Sequence, residues 1–116
     1  MKTILAVFVL VALPLTVLFA HPASSIKADY KAADKSLAVN VTHLISKSKV
    51  TDPAKHFIKE ISVTLNGTLV EKKTFTSQTG DHQITSFTVN AKKGDKINIV
   101  AVCNLSGTKT ASIVIK

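Results

Sequence analysis

The 116-residue chain has one cysteine, one tyrosine, no tryptophan and no arginine, and its single methionine is Met1. With one cysteine, an intramolecular disulfide cannot form. A Cys-x-x-Cys zinc site is excluded as well, and no His-x-x-x-His pair takes its place. No histidine follows Cys103 and no methionine lies near it, which removes the ligand set of a blue-copper centre. Aromatic residues make up only 5% of the chain. Fifteen lysines face seven acidic residues for a formal net charge of +8, yet no block of five like charges occurs. A nucleic-acid surface needs clustered charge and stacking rings, so composition argues against nucleic acid as a partner. A scattered positive field suits small anions or an acidic protein partner, or simply keeps the surface soluble.

The chain does have an apolar start. Met1-Lys2-Thr3 is short and positive, Ile4 to Phe19 is almost wholly apolar, and Ala20 closes the run before polar sequence begins. This pattern is that of a secretory signal peptide over 1–20, with cleavage expected after Ala20. An uncleaved N-terminal anchor is the alternative, although the run is short for a membrane span. No cysteine follows it, which argues against a lipoprotein. The expected location is periplasmic or otherwise exported, with no stable membrane span after cleavage.

Beyond residue 20 the only regular period is that of strands. A polar lead-in is expected over 21–36, and a single β domain over 37–116. Leu37, Val39, Val41 and His43 share one face of a first strand. A loop with an Asp52-Pro53 turn follows, then a strand over 57–65 with Ile61, Val63 and Leu65 on one face. Asn66-Gly67 is a strong hairpin signal, with a return strand over 69–76. Further strands are expected over 84–90, over 96–103 with Ile97, Ile99, Ala101 and Cys103 facing one way, and around Ala111, Ile113 and Ile115. Short strands at this spacing predict an all-β, immunoglobulin-like antiparallel β-sandwich. Three Asn-x-Ser/Thr triplets begin at Asn40, Asn66 and Asn104; strands rich in asparagine and threonine produce such triplets by chance.

The chemistry-bearing residues are Cys103 and the four histidines, His21, His43, His56 and His82. His43 and Cys103 each end the inward phase of a strand, where the loops of a sandwich gather and small sites are built. Imidazoles with one thiolate suit iron, copper or zinc. The alternative reading is packing: Cys103 as a small buried hydrophobe, His43 and His56 as hydrogen-bonded core histidines, and His21 and His82 as solvent-exposed side chains. If cleavage follows Ala20, His21 could also chelate copper through its amine and ring.

Three blocks carry a resemblance. Val41-Thr42-His43, the segment Pro53-Ala54-Lys55-His56-Phe57-Ile58, and Cys103-Asn104-Leu105-Ser106-Gly107 are similar, in order and strand context, to the iron-site motifs of the superoxide reductases (desulfoferrodoxin and neelaredoxin). The resemblance implies a mononuclear non-haem iron cofactor and one-electron reduction of superoxide, with an electron donor still to be identified. It implies His43 and His56 as equatorial metal ligands and Cys103 as the axial thiolate. The family's last histidine falls on Ser106, so the implied ligand set is incomplete; whether His21 or His82 completes it stays open. The segment from Pro53 to Val70 and the Lys92-Lys93-Gly94-Asp95-Lys96 turn also resemble the SoxZ partner subunit of the bacterial sulfur carrier. That likeness implies a metal-free, partner-binding sandwich module as the alternative.

Overall fold

The computed structural model describes residues 21–116; the expected leader over 1–20 lies outside them. Seven strands form two antiparallel sheets. They are β1 (Ser25–Lys31), β2 (Ser36–Thr42), β3 (Ile58–Leu65), β4 (Thr68–Thr74), β5 (His82–Thr88), β6 (Lys96–Cys103) and β7 (Thr108–Val114). One sheet has the order β1-β2-β5 and the other β4-β3-β6-β7. The fold is the all-β, immunoglobulin-like sandwich that the strand pattern predicts. No described helix is long and apolar enough to cross a membrane.

The two inner faces interdigitate to make the core. β2 supplies Leu37, Val39 and Val41; β3 supplies Ile58, Ile61 and Val63; β6 supplies Ile97, Ile99, Ala101 and Cys103; Phe87 and Val89 complete it. These side chains alternate with more exposed neighbours because successive residues of a strand point to opposite faces. β3 breaks the rule once. Its register against β6 shifts between Ile58 and Glu60, so Ile58 and Ile61 are both inward although three residues apart. Such a bulge re-aims the end of a strand, and here it lies two residues after His56.

The stretch 21–36, expected to be a polar lead-in, contains β1. It pairs with β2 along its whole length, from Ser25 opposite Thr42 to Lys31 opposite Ser36. Ile26, Ala28 and Tyr30 pack against the core from this edge. The phenol of Tyr30 donates to Val89 O (2.6 Å) and accepts from Ala91 N–H (3.1 Å).

The pairing sorts the connections between two ends of the sandwich. Short turns at residues 32–35 and 66–67, with the 89–95 connection, lie at one end. The other end gathers the start of β1, the long β2–β3 connection, the β4–β5 connection and the β6–β7 turn. Ser25 opposite Thr42, Thr42 opposite His82 and Ile58 opposite Cys103 mark that second end.

Candidate metal centre

Three loops at that second end bring three imidazoles together. His43 follows β2 in its inward phase and is fully buried; its backbone N–H donates to Asp81 O (2.8 Å). His56 leaves a turn built by Asp52, whose carboxylate accepts Ala54 N–H and whose carbonyl accepts the N–H groups of Lys55 and His56. It too is fully buried. His21 arrives from the start of β1, where Ser24 N–H donates to Thr42 O (2.8 Å). The ring centroids lie 4.7 Å apart for His43 and His56, 5.0 Å for His21 and His43, and 5.3 Å for His21 and His56.

One ring nitrogen from each of the three lies within 4.8 Å of the others. That spacing brings the three imidazoles close enough to offer their nitrogens to one ion. The partners of the Nδ1 atoms say which nitrogen is free. His56 Nδ1 lies 2.9 Å from Val50 O, and His21 Nδ1 lies 3.0 Å from Pro22 O. A carbonyl only accepts, so both Nδ1 atoms carry hydrogen; the Ser48 hydroxyl, 3.1 Å from His56 Nδ1, donates to Ile45 O and is free to accept there, and in the neutral rings both Nε2 atoms present lone pairs. His43 Nδ1 lies 2.9 Å from Gln78 Oε1, and its Nε2 has only a long 3.3 Å contact to His21 O. The Nε2 of His56 is buried with no hydrogen-bond partner among the described residues. A buried polar atom left unpaired costs about 1–3 kcal/mol. A Lewis acid between the rings is the partner that this lone pair fits, so the donor set suits a metal.

Cys103 stands at the same end. It is buried, pairs with Ile58 across the sheet, and its Sγ receives the Leu105 N–H at 3.5 Å. The convergent group stops at the three histidines, however, and Cys103 is not a member of it. His82 stays outside too: it is half-buried and its Nδ1 faces Asn40 Oδ1 at 3.0 Å. Ser106 lies exposed in the turn after β6. His21, expected to be solvent-exposed, is half-buried and takes the third place beside His43 and His56.

The turn after Cys103 holds the other loops in place. Asn104 Oδ1 accepts Phe57 N–H (2.9 Å), its Nδ2 donates to Lys55 O (3.0 Å), and its backbone N–H donates to Phe57 O (2.9 Å). The turn therefore grips both sides of His56. Gly107 adopts φ +93°, and a Cβ there would fall 2.8 Å from Pro22 Cβ. Only a glycine admits the His21-Pro22 segment so closely.

Two further residues escape a reading of the sequence for ligands. Gln78 is buried and bonded to His43 by side chain at both ends of the amide. Asp81 accepts the Ser46 hydroxyl (2.6 Å) and Ser46 N–H (2.9 Å). Those bonds, the hydroxyl's foremost, hold its carboxyl below the ordinary carboxylate range. Both residues lie in the polar stretch between β4 and β5, which reads only as a turn.

A family model described as Desulfoferrodoxin matches residues 21–111. Among solved structures, the superoxide reductase (1Fe-SOR) from Giardia intestinalis is similar over 81% of this chain and 99% of its own, at 16% identity and a TM-score of 0.59. The superoxide reductase (neelaredoxin) from Ignicoccus hospitalis is similar over 81% of this chain and 80% of its own, at 21% identity and a TM-score of 0.56. A hypothetical protein from Pyrococcus horikoshii is similar over 82% and 89%, at 15% identity and a TM-score of 0.54. Likeness at such low identity establishes the fold. No curated protein matches the chain by sequence.

Proposed function

The chain belongs to the desulfoferrodoxin family, and from that premise we propose that it is an exported redox protein that binds one non-haem iron and acts on superoxide. His21, His43 and His56 would hold the metal through Nε2, with the Cys103 thiolate as a further ligand. Ser106 stands where the family pattern has its last histidine, so the ligand set is smaller than the family's. The observation that carries the reading is the buried, unpartnered His56 Nε2 inside a three-histidine group. A metal-free partner module similar to SoxZ would leave that lone pair without a role.

Ferrous iron bound there would supply the single electron that, with two protons, converts superoxide to hydrogen peroxide. The chain's own residues prepare the site for it. Val50 O and Pro22 O hold two imidazoles with Nδ1 protonated and Nε2 available. The Leu105 N–H faces the Cys103 sulfur and fixes its direction at the end of β6. The excess of lysine, +8 in net charge, draws a small anion to the surface.

Anaerobic loading with ferrous iron tests the reading. One iron per chain is expected, with a visible thiolate-to-ferric charge-transfer band on oxidation that Cys103→Ala removes. Loss of iron from His56→Ala is expected as well. A protein that takes up no stoichiometric iron would end the proposal; iron binding without the band would remove Cys103 from the ligand set.

A further inference from the structure

Gln78 occupies the point where the two fully buried histidine loops meet. Its backbone N–H donates to Pro53 O (3.2 Å), in the turn that leads to His56. Its side-chain Oε1 accepts Ile58 N–H (2.9 Å) at the first residue of β3. Its Nε2 donates to His43 O (3.1 Å) and Gly80 O (2.8 Å). These partners fix which way the amide points. Ile58 N–H can only donate, so it needs the oxygen; two carbonyls can only accept, so they need the NH2. A flipped amide would set donor against donor and oxygen against oxygen. The atom 2.9 Å from His43 Nδ1 is therefore the amide oxygen, and this shorter contact places the hydrogen of His43 on Nδ1 in preference to Nε2, which has only the 3.3 Å contact to His21 O.

On this basis, and resting on the metal reading above, we propose that Gln78 is a positioning residue for the centre. It selects the tautomer and ring orientation of His43, leaving Nε2 as the ligand atom. Because the same Oε1 holds the start of β3, it also sets His43 in register with His56. Val50 O and Pro22 O do the equivalent work for His56 and His21 with backbone carbonyls. His56 Nδ1 has the Ser48 hydroxyl at 3.1 Å beside its carbonyl, whereas the only partner of His43 Nδ1 among the described residues is the Gln78 amide, so its tautomer is the one that substituting Gln78 should release.

A second buried amide provides the control. Gln83 Nε2 donates to Ile58 O (3.0 Å) and Ser77 O (2.7 Å), and no bond joins it to a histidine. Gln78→Met and Gln83→Met are near-isosteric, and each strands buried backbone groups around Ile58. Melting temperature should fall in both. Affinity for ferrous iron, measured anaerobically by competition with a chelator, should fall about 10- to 100-fold in Gln78→Met only, the range expected for loss of a partner that orients a ligand. Equal losses in the two variants, or an unchanged affinity in Gln78→Met, would overturn the assignment. Imidazole 15N spectra of the metal-free wild type test it without any variant. His43 protonated on Nδ1 supports it and His43 protonated on Nε2 ends it. A wild type that binds no iron would sink the metal reading, while the tautomer of His43 still decides the role of Gln78.

Discussion

The two ends of the sandwich are closed by similar residues for different purposes. At the far end, Asn66 Nδ2 donates to Asp95 Oδ1, Asn66 Oδ1 accepts Lys96 N–H, and Asp95 Oδ2 accepts Lys92 N–H. The Asn66 bonds join one turn to the next, and the Lys92–Asp95 bond closes a turn on itself. At the near end, Asn104, Gln78 and Asp81 make equally dense networks, but these converge on His43 and His56. Among the described residues, the buried side-chain polar atom left unpaired, His56 Nε2, lies at the near end. An unpaired lone pair at the centre of such a network is what the proposed metal would satisfy. The far end shows what the same fold looks like when it has only to hold itself together.

The largest expected difference between the ends is in their response to metal. A ligand that binds only the folded chain stabilises it by about 4 kcal/mol at a thousand times its Kd. Ferrous iron should give a gain of that order in wild type, read as a rise in denaturation midpoint. His56→Ala should remove the gain, whereas Asn66→Ala at the far end should keep it. Equal gains in both variants would show that iron binds somewhere other than the near end.

The glycines sharpen the same contrast. Gly94 and Gly107 have nearly the same backbone, φ +91° and +93°, but a Cβ on Gly94 meets nothing within 4 Å while one on Gly107 strikes Pro22. Left-handed backbone costs a side-chain-bearing residue about 1–2 kcal/mol, so both alanine variants should lose that much. Gly107→Ala should lose more, and should also weaken iron binding by pushing His21 out of the group. If the two variants behave alike in chemical denaturation and in iron affinity, Pro22 is not held against the turn as described.

The asparagines form a third pair. Asn104→Ala and Asn66→Ala each remove two side-chain hydrogen bonds, worth about 1 kcal/mol apiece. Both should lose stability, Asn66→Ala somewhat more because Asn66 holds a left-handed φ of +50° that alanine tolerates less well, with a lowered iron affinity only for Asn104→Ala. A change in iron affinity with Asn66→Ala would mean that the two ends communicate through β3 and β6.

How far each end could be read in the sequence follows from the same division. Far-end turns advertise themselves through Asn66-Gly67 and Lys92-Lys93-Gly94-Asp95, because left-handed backbone selects glycine and asparagine locally. β2 and β6 were equally legible, since strict alternation carries Leu37 to His43 and Ile97 to Cys103 inward. β1 was not: its apolar residues Ile26, Ala28 and Tyr30 alternate with Lys27, Asp29 and Lys31 on a half-buried edge, a weak signal beside the strong ones. The choice between His21 and His82 stayed open for a different reason, as the place of His21 depends on a contact between Pro22 and Gly107, 85 positions along the chain. Gln78 escaped because a buried amide leaves no periodic trace. The bulge after Ile58 was also invisible, since the alternation of Ile61, Val63 and Leu65 says nothing about where it starts. The strands that carry the inward residues up to His43 and Cys103 were thus legible, and the loops that orient the histidines were not.

The smallest expected difference is in acid. Each end holds one carboxyl below its ordinary value of 3.8: Asp81 mainly through the Ser46 hydroxyl, Asp95 mainly through the Asn66 amide. A carboxylate that binds its proton less readily in the folded chain than in the unfolded one stabilises the fold above the ordinary value. That contribution is lost as pH falls from about 4 through the depressed folded value, because the unfolded chain then takes up the proton first. Both ends should therefore loosen below about pH 4, and neither contribution should change between pH 6 and 8. Hydrogen exchange can separate them. The His43 N–H, bonded to Asp81 O, should lose protection in acid in wild type and already be less protected at neutral pH in Asp81→Asn. The Ile115 N–H, bonded to Asp95 O, should respond in the same way to Asp95→Asn and not to Asp81→Asn. If either substitution exposed both amides, the sandwich would open as one unit and the distinction between its ends would hold for binding only.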